Sequence, residues 1–116
     1  MLVIKVWCLP RLTEKQLNGL HRNIVAAVAS VEELDLKNET EMVCLFPSDM
    51  MSYGLGEEIF IEVIGFFKRP VRGNEGVFRN LAESLGKAVG MLFPNSVVDC
   101  IVRQVDPREG YWSNRT

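Results

Sequence analysis

At 116 residues the chain has room for one domain and one core, and its 47% hydrophobic and 24% charged residues are those of an ordinary globular protein. A net charge of −2 and a pI near 5.4 leave no basic footprint for nucleic acid, and no apolar run reaches the roughly 18 residues that cross a bilayer. Three dispersed cysteines, Cys8, Cys44 and Cys100, form neither a disulfide framework nor a metal knuckle; lone thiols in apolar strand patterns fit a cytoplasmic protein.

The chain opens on a strand. Leu2, Val3, Ile4, Val6 and Trp7 are a β-branched and aromatic run, and Pro10, which has no N–H to give a ladder, predicts its end at a proline-arginine corner. Lys5 lies within that pattern, so the segment does not read as a signal peptide. A strand that starts at residue 1 carries the Met1 α-amine into the fold, which makes that amine a candidate for chemistry.

Thr13 and Gln16 have the spacing of a capping box, and Leu17, Leu20, Ile24, Ala27, Val28 and Val31 continue as one stripe, predicting a helix from 14 to 31. His21 stands beside the stripe with no second ligand at fixed spacing, and reads as a packed or rim histidine. An acidic connection leads to a second strand, Glu41 to Phe46, closed by Pro47. Residues 48–57 form a loop in which Gly54 and Gly56 supply a tight turn. Ile59 to Ile64 is apolar on both faces except for Glu62, the pattern of a central strand. Lys68-Arg69-Pro70 marks a second basic corner, either solvated or able to receive an anion, and Gly73-Asn74 opens a second helix. Its stripe is Val77, Phe78, Leu81, Leu85, Ala88, Val89 and Leu92, ending before Pro94. Val97 to Val102 is the last strand, and residues 106–116 are a polar tail whose Tyr111 and Trp112 are expected to dock on a neighbouring subunit.

The order is strand, helix, strand, given twice with an offset of about 56 to 61 positions. Repeat one covers about 1–47 and repeat two about 57–105 of a single domain spanning 1–116. Two β-α-β units predict an α/β (α+β) fold: a four-stranded mixed sheet with both helices on one face. The bare face is then expected to be covered by other copies of the same sheet.

This frame, with Leu9-Pro10-Arg11, Phe46-Pro47 followed by Tyr53-Gly54-Leu55-Gly56, and Gly110-Tyr111-Trp112-Ser113-Asn114, resembles the tautomerase superfamily, the fold of 4-oxalocrotonate tautomerase and macrophage migration inhibitory factor. The resemblance spans essentially the whole chain and implies a homotrimer without a metal or other cofactor. It also implies chemistry by an N-terminal proline whose amine, desolvated in an apolar pocket, moves a proton beside a carbonyl. Aligned on Pro10-Arg11, that proline position falls on Met1, followed by Leu2. Arg11 matches an arginine that holds a substrate carboxylate, Lys37 a pocket lysine, and Tyr53 an aromatic wall of the pocket. Where one branch has a second arginine, this chain has Glu41 or Met42.

Two readings follow. One is a tautomerase homologue without the catalytic proline, inactive or divergent, binding a small carbonyl or carboxylate compound or a protein. The other is an enzyme of keto-enol proton transfer in which the Met1 α-amine, starting near pKa 7.7–8.0, is the general base.

Overall fold

The computed structural model describes residues 2–36, 39–47, 58–66, 74–110, 112 and 114. Strand β1 (Leu2–Trp7) leads into helix α1 (Glu14–Ala29); β2 (Met42–Leu45), β3 (Glu58–Phe66), α2 (Asn74–Leu92) and β4 (Val97–Val105) follow. Short 3₁₀ turns at Glu32–Leu34, Glu39–Glu41 and Pro107–Glu109 join or extend these elements.

The sheet order is β2-β1-β3-β4. β1 runs parallel to β2 and β3 parallel to β4, while β1 and β3 are antiparallel, Leu2 pairing with Gly65 and Trp7 with Phe60. Each parallel pair is closed over by its own helix, because parallel neighbours need a crossover rather than a hairpin. The duplicated β-α-β frame and mixed sheet expected from the periodicity are therefore present.

One face of the sheet carries the core. Leu2, Ile4 and Val6 of β1 and Ile59, Ile61 and Val63 of β3 are wholly buried or nearly so. They meet Leu20, Ile24 and Val28 of α1 and Leu81, Leu85 and Val89 of α2. Alternation by two in the strands and by four in the helices directs these side chains to one layer. Each such side chain stabilises the fold by about 1.5–3 kcal/mol relative to leaving it exposed.

Several boundaries differ from the sequence expectation. β1 stops at Trp7 rather than at Pro10, because Cys8 takes a left-handed backbone (φ +66°) that breaks the extended run. α1 ends at Ala29, with Ser30 capping through its N–H to Ala26 and its hydroxyl to Ala27. Glu41 belongs to a turn, so β2 is four residues long, whereas β3 and β4 are nine each. The capping box of α1 is present: Gln16 N–H donates to Thr13 Oγ1 at 3.2 Å, and Thr13 N–H donates to Gln16 Oε1 at 2.8 Å.

The helix-free face is less apolar than the pattern of β3 alone suggests. Register lays it out in rows: Val43, Val3, Ile64 and Arg103; Leu45, Lys5, Glu62 and Ile101; Trp7, Phe60 and Asp99. Leu45, Phe60, Val97 and Ile101 are exposed there, beside charged groups on three of the four strands. Trp112 in the tail is 83% exposed within this chain, and Tyr111 lies outside the described residues. No helix among the described residues is long and apolar enough to cross a membrane.

Candidate functional site

A hollow lined by one cationic side chain, Arg11, stands at the β1–α1 corner. Cys8 turns the chain out of the sheet, Pro10 and Arg11 are exposed, and Leu12 turns back before Thr13 caps α1. Because β2 is parallel to β1, it leaves the sheet at the same end, and Phe46 and Pro47 come up beside the corner. Leu9, Leu12, Leu17 and Phe46 wall a hollow of about 390 Å³, with Pro10, Pro47 and Arg11 completing it. That volume lies within the range of small-molecule sites. Apolar walls with a single guanidinium suit a small compound bearing a carboxylate, which arginine engages in a two-pronged, charge-assisted contact.

A second hollow, about 420 Å³, lies between the end of α1 and the middle of α2. Its cation, Lys87, is held by Glu83 at 2.7 Å, and Glu32 and Glu33 add further negative charge. It offers nothing to an anionic ligand.

Of the residues expected at the site, Arg11 is described and lines the first hollow, while Met1, Lys37 and Tyr53 lie outside the described residues, as do Lys68 and Arg69. Leu2, bonded to Met1, is at the opposite end of β1 from Arg11. The two ends of this six-residue strand, at 3.3 Å per residue, are roughly 17 Å apart. One chain does not bring Arg11 and the residue bonded to Met1 together.

At the Leu2 end, Leu2 is fully buried between Met42 and Gly65 in the ladder, and Gly65 pairs in turn with Gln104. Gln104 Oε1 is buried and accepts no hydrogen bond from the described residues. Met42 faces the core and Glu41 is half-buried in its turn, so neither takes the part of a second carboxylate-binding arginine.

Two of the three thiols are chemically quiet. Burial pushes Cys44 up to about 11 and Cys100 up to about 12, so both stay protonated near neutrality. Among the described residues no three His, Cys, Asp or Glu side chains gather as metal ligands. Sequence reasoning found Arg11 but not the walls around it. The available signal was that two parallel strands exit through apolar residues next to proline, Leu9-Pro10 and Phe46-Pro47.

Nearly the whole chain superposes on several solved structures. A fused 4-OT, an asymmetric trimer, matches at a TM-score of 0.72 with 11% identity, covering 98% of this chain and 94% of that one. Macrophage migration inhibitory factor of Toxoplasma gondii matches at 0.70 with 14% identity and 97% coverage of both chains. This is the fold of the tautomerase superfamily. A further tautomerase-fold match, a protein inactivated by 2-oxo-3-pentynoate, superposes at 0.70 with 11% identity, over 97% of this chain and 91% of that one. No protein-family model matches the sequence, and no curated protein does.

Proposed function

We propose that this chain is a tautomerase-fold protein that associates as a homotrimer and binds a small carbonyl or carboxylate compound at the Arg11 hollow, without proton transfer by an N-terminal proline. The observation that carries the reading is a hollow of about 390 Å³ walled by Leu9, Leu12, Leu17 and Phe46 with the Arg11 guanidinium among its lining; the resemblance aligned on Pro10-Arg11 assigns the proline position to Met1. On this reading the fold and a carboxylate grip are kept and the base is replaced. Association is supported by the exposed Leu45, Phe60, Val97 and Ile101 on the helix-free face, and by a fused 4-OT of the same fold that is a trimer. The protein is read as cytoplasmic, in keeping with its free thiols.

The test uses phenylpyruvate. Isothermal titration should show binding that weakens roughly tenfold or more in Arg11→Ala, while the ketonisation rate stays at the buffer background. Binding unchanged in Arg11→Ala removes the hollow from the reading.

A second reading, an enzyme using the Met1 α-amine, is favoured by one observation. Gln104 Oε1, in the same row as Leu2, is a buried acceptor without a donor, the kind of group an ammonium or a substrate hydroxyl satisfies. Under this reading a site that also uses Arg11 is shared between copies, since the two ends of β1 are so far apart. Incubation with 2-oxo-3-pentynoate discriminates: a covalent mass increase located on Met1 supports the amine as a reactive base, and an unmodified terminus removes it.

A further inference from the structure

The Arg11 hollow has a charged rim and an apolar floor. Pro10 and Arg11 are exposed, whereas Leu9, Leu12, Leu17 and Phe46 are half-buried. Leu9, Leu12 and Phe46 also pack against the buried core of the domain, so the floor is continuous with it. A ligand that gives its carboxylate to the guanidinium keeps that charge at the solvent edge and lays the rest of itself on leucine and phenylalanine.

The lining is as informative for what it lacks. Among the described residues, Arg11 is the one lining side chain with a polar atom. Pro10 and Pro47 have no backbone N–H to offer either, and the Leu17 N–H is already donated to the Thr13 carbonyl at 3.0 Å. The polar side chains next along the chain, Thr13 and Gln16, each accept from the other's backbone N–H in the helix cap. The walls therefore hold no side-chain donor for a keto oxygen and no second cation for a second carboxylate. With the guanidinium fork taken by the carboxylate, a keto group gains nothing. At the rim it stays in water, and on the walls it loses its bonds to water without replacement. An ionised carboxylate laid on those walls costs far more.

We propose that the hollow is a site for hydrophobic monocarboxylates, aryl-alkanoates or short branched fatty acids, read by charge and shape and not by a carbonyl. This rests on the ligand reading proposed for the Arg11 hollow and narrows it from carbonyl or carboxylate compounds to one carboxylate on an apolar body. The volume of about 390 Å³ has room for a phenyl ring on a short stem. Burial of the body supplies affinity, and the guanidinium fixes which end faces out.

The experiment is isothermal titration of the full chain with a series of ligands on one body. 3-Phenylpropionate lacks the keto group of phenylpyruvate, 3-phenylpropionamide lacks the charge, and 4-(2-carboxyethyl)benzoate adds a carboxylate at the far end of the ring. 3-Phenylpropionate is expected to bind within about fivefold of phenylpyruvate, and the amide and the dicarboxylate to bind weaker than 3-phenylpropionate by more than that. In Arg11→Ala, with folding checked by far-UV circular dichroism, the acid and the amide should bind alike, because the group that tells them apart is gone. If 3-phenylpropionate falls more than about fivefold below phenylpyruvate, or the dicarboxylate matches it, while binding still depends on Arg11, the monocarboxylate class is overturned and the hollow stands as a ligand site. If no acid binds, if the amide equals the acid in the wild type, or if Arg11→Ala changes nothing, both are overturned.

Discussion

The two β-α-β units share a period but not a shape. β4 runs nine residues along the full length of β3, whereas β2 runs four along β1 and leaves the sheet at Phe46. In the second unit the strand fills its end of the sheet. In the first, the early exit brings Phe46 and Pro47 against the β1–α1 corner, and the hollow with Arg11 forms there. Duplication sets up a frame with two corners, and the early exit of β2 shapes the first of them; residues 67–73, at the second, lie outside the described residues.

The largest test of that contrast asks whether the units are separate at all. Ile4 of unit one and Ile61 of unit two are both fully buried in one core. Truncating either to alanine should cost about 2–5 kcal/mol, in a single urea transition seen alike by circular dichroism and Trp7 fluorescence. Two transitions, with Ile4→Ala moving only one, would show that the units unfold independently.

Next in size is the ligand recognition proposed for the Arg11 hollow of unit one. Arg11→Ala should lose most of its carboxylate affinity while stability changes by no more than about 0.5 kcal/mol, the usual range for a surface site. A collapse in melting temperature would mean that the guanidinium braces the corner instead of serving a ligand.

The helix starts give a smaller difference. α1 begins with a reciprocal Thr13–Gln16 cap, so Thr13→Ala should lower stability by about 1 kcal/mol, read as a lower urea midpoint at unchanged slope.

Smallest is the alkaline drift, to which each unit contributes one thiol. The folded values of Cys44 and Cys100, about 11 and about 12, lie above the ordinary 9.0. The folded state therefore holds protons that the unfolded chain releases, and stability falls as pH rises from 9 toward 11. Below pH 9 neither thiol contributes any pH dependence. Partial exposure of both keeps the effect small, and Cys44→Ala with Cys100→Ala should flatten that limb of the curve.

What could be read from the sequence follows from how local each signal is. The capping box, the helical stripes and the alternation in β1 and β3 are set within a few residues, and the chain obeys them. The end of β1 is not of that kind. Pro10 is the visible breaker, yet Cys8 turns first, and a left-handed cysteine has no mark in composition. The early end of β2 is equally silent, since Phe46 is as strand-prone as Leu45 and only the three-dimensional corner shows that it has turned to line the hollow. Arg11 was legible because it stands beside a proline that every reading of the chain must explain. Lys37, Tyr53 and Met1, expected with it, lie outside the described residues.

The length of β1 has a consequence for how such a protein changes over generations. Its six residues hold the corner that carries Arg11, the proposed ligand grip, at one end and Leu2, the residue bonded to Met1, at the other, with the fully buried Ile4 and Val6 between. A substitution at the first position has to act through that packed stretch to reach the Arg11 corner, and a substitution at the corner has to act through it to reach the terminus. Under the proposed function, recognition and reactivity are thus heritable as separate traits on one strand, so that a lineage can lose a reaction and still select for what its members hold.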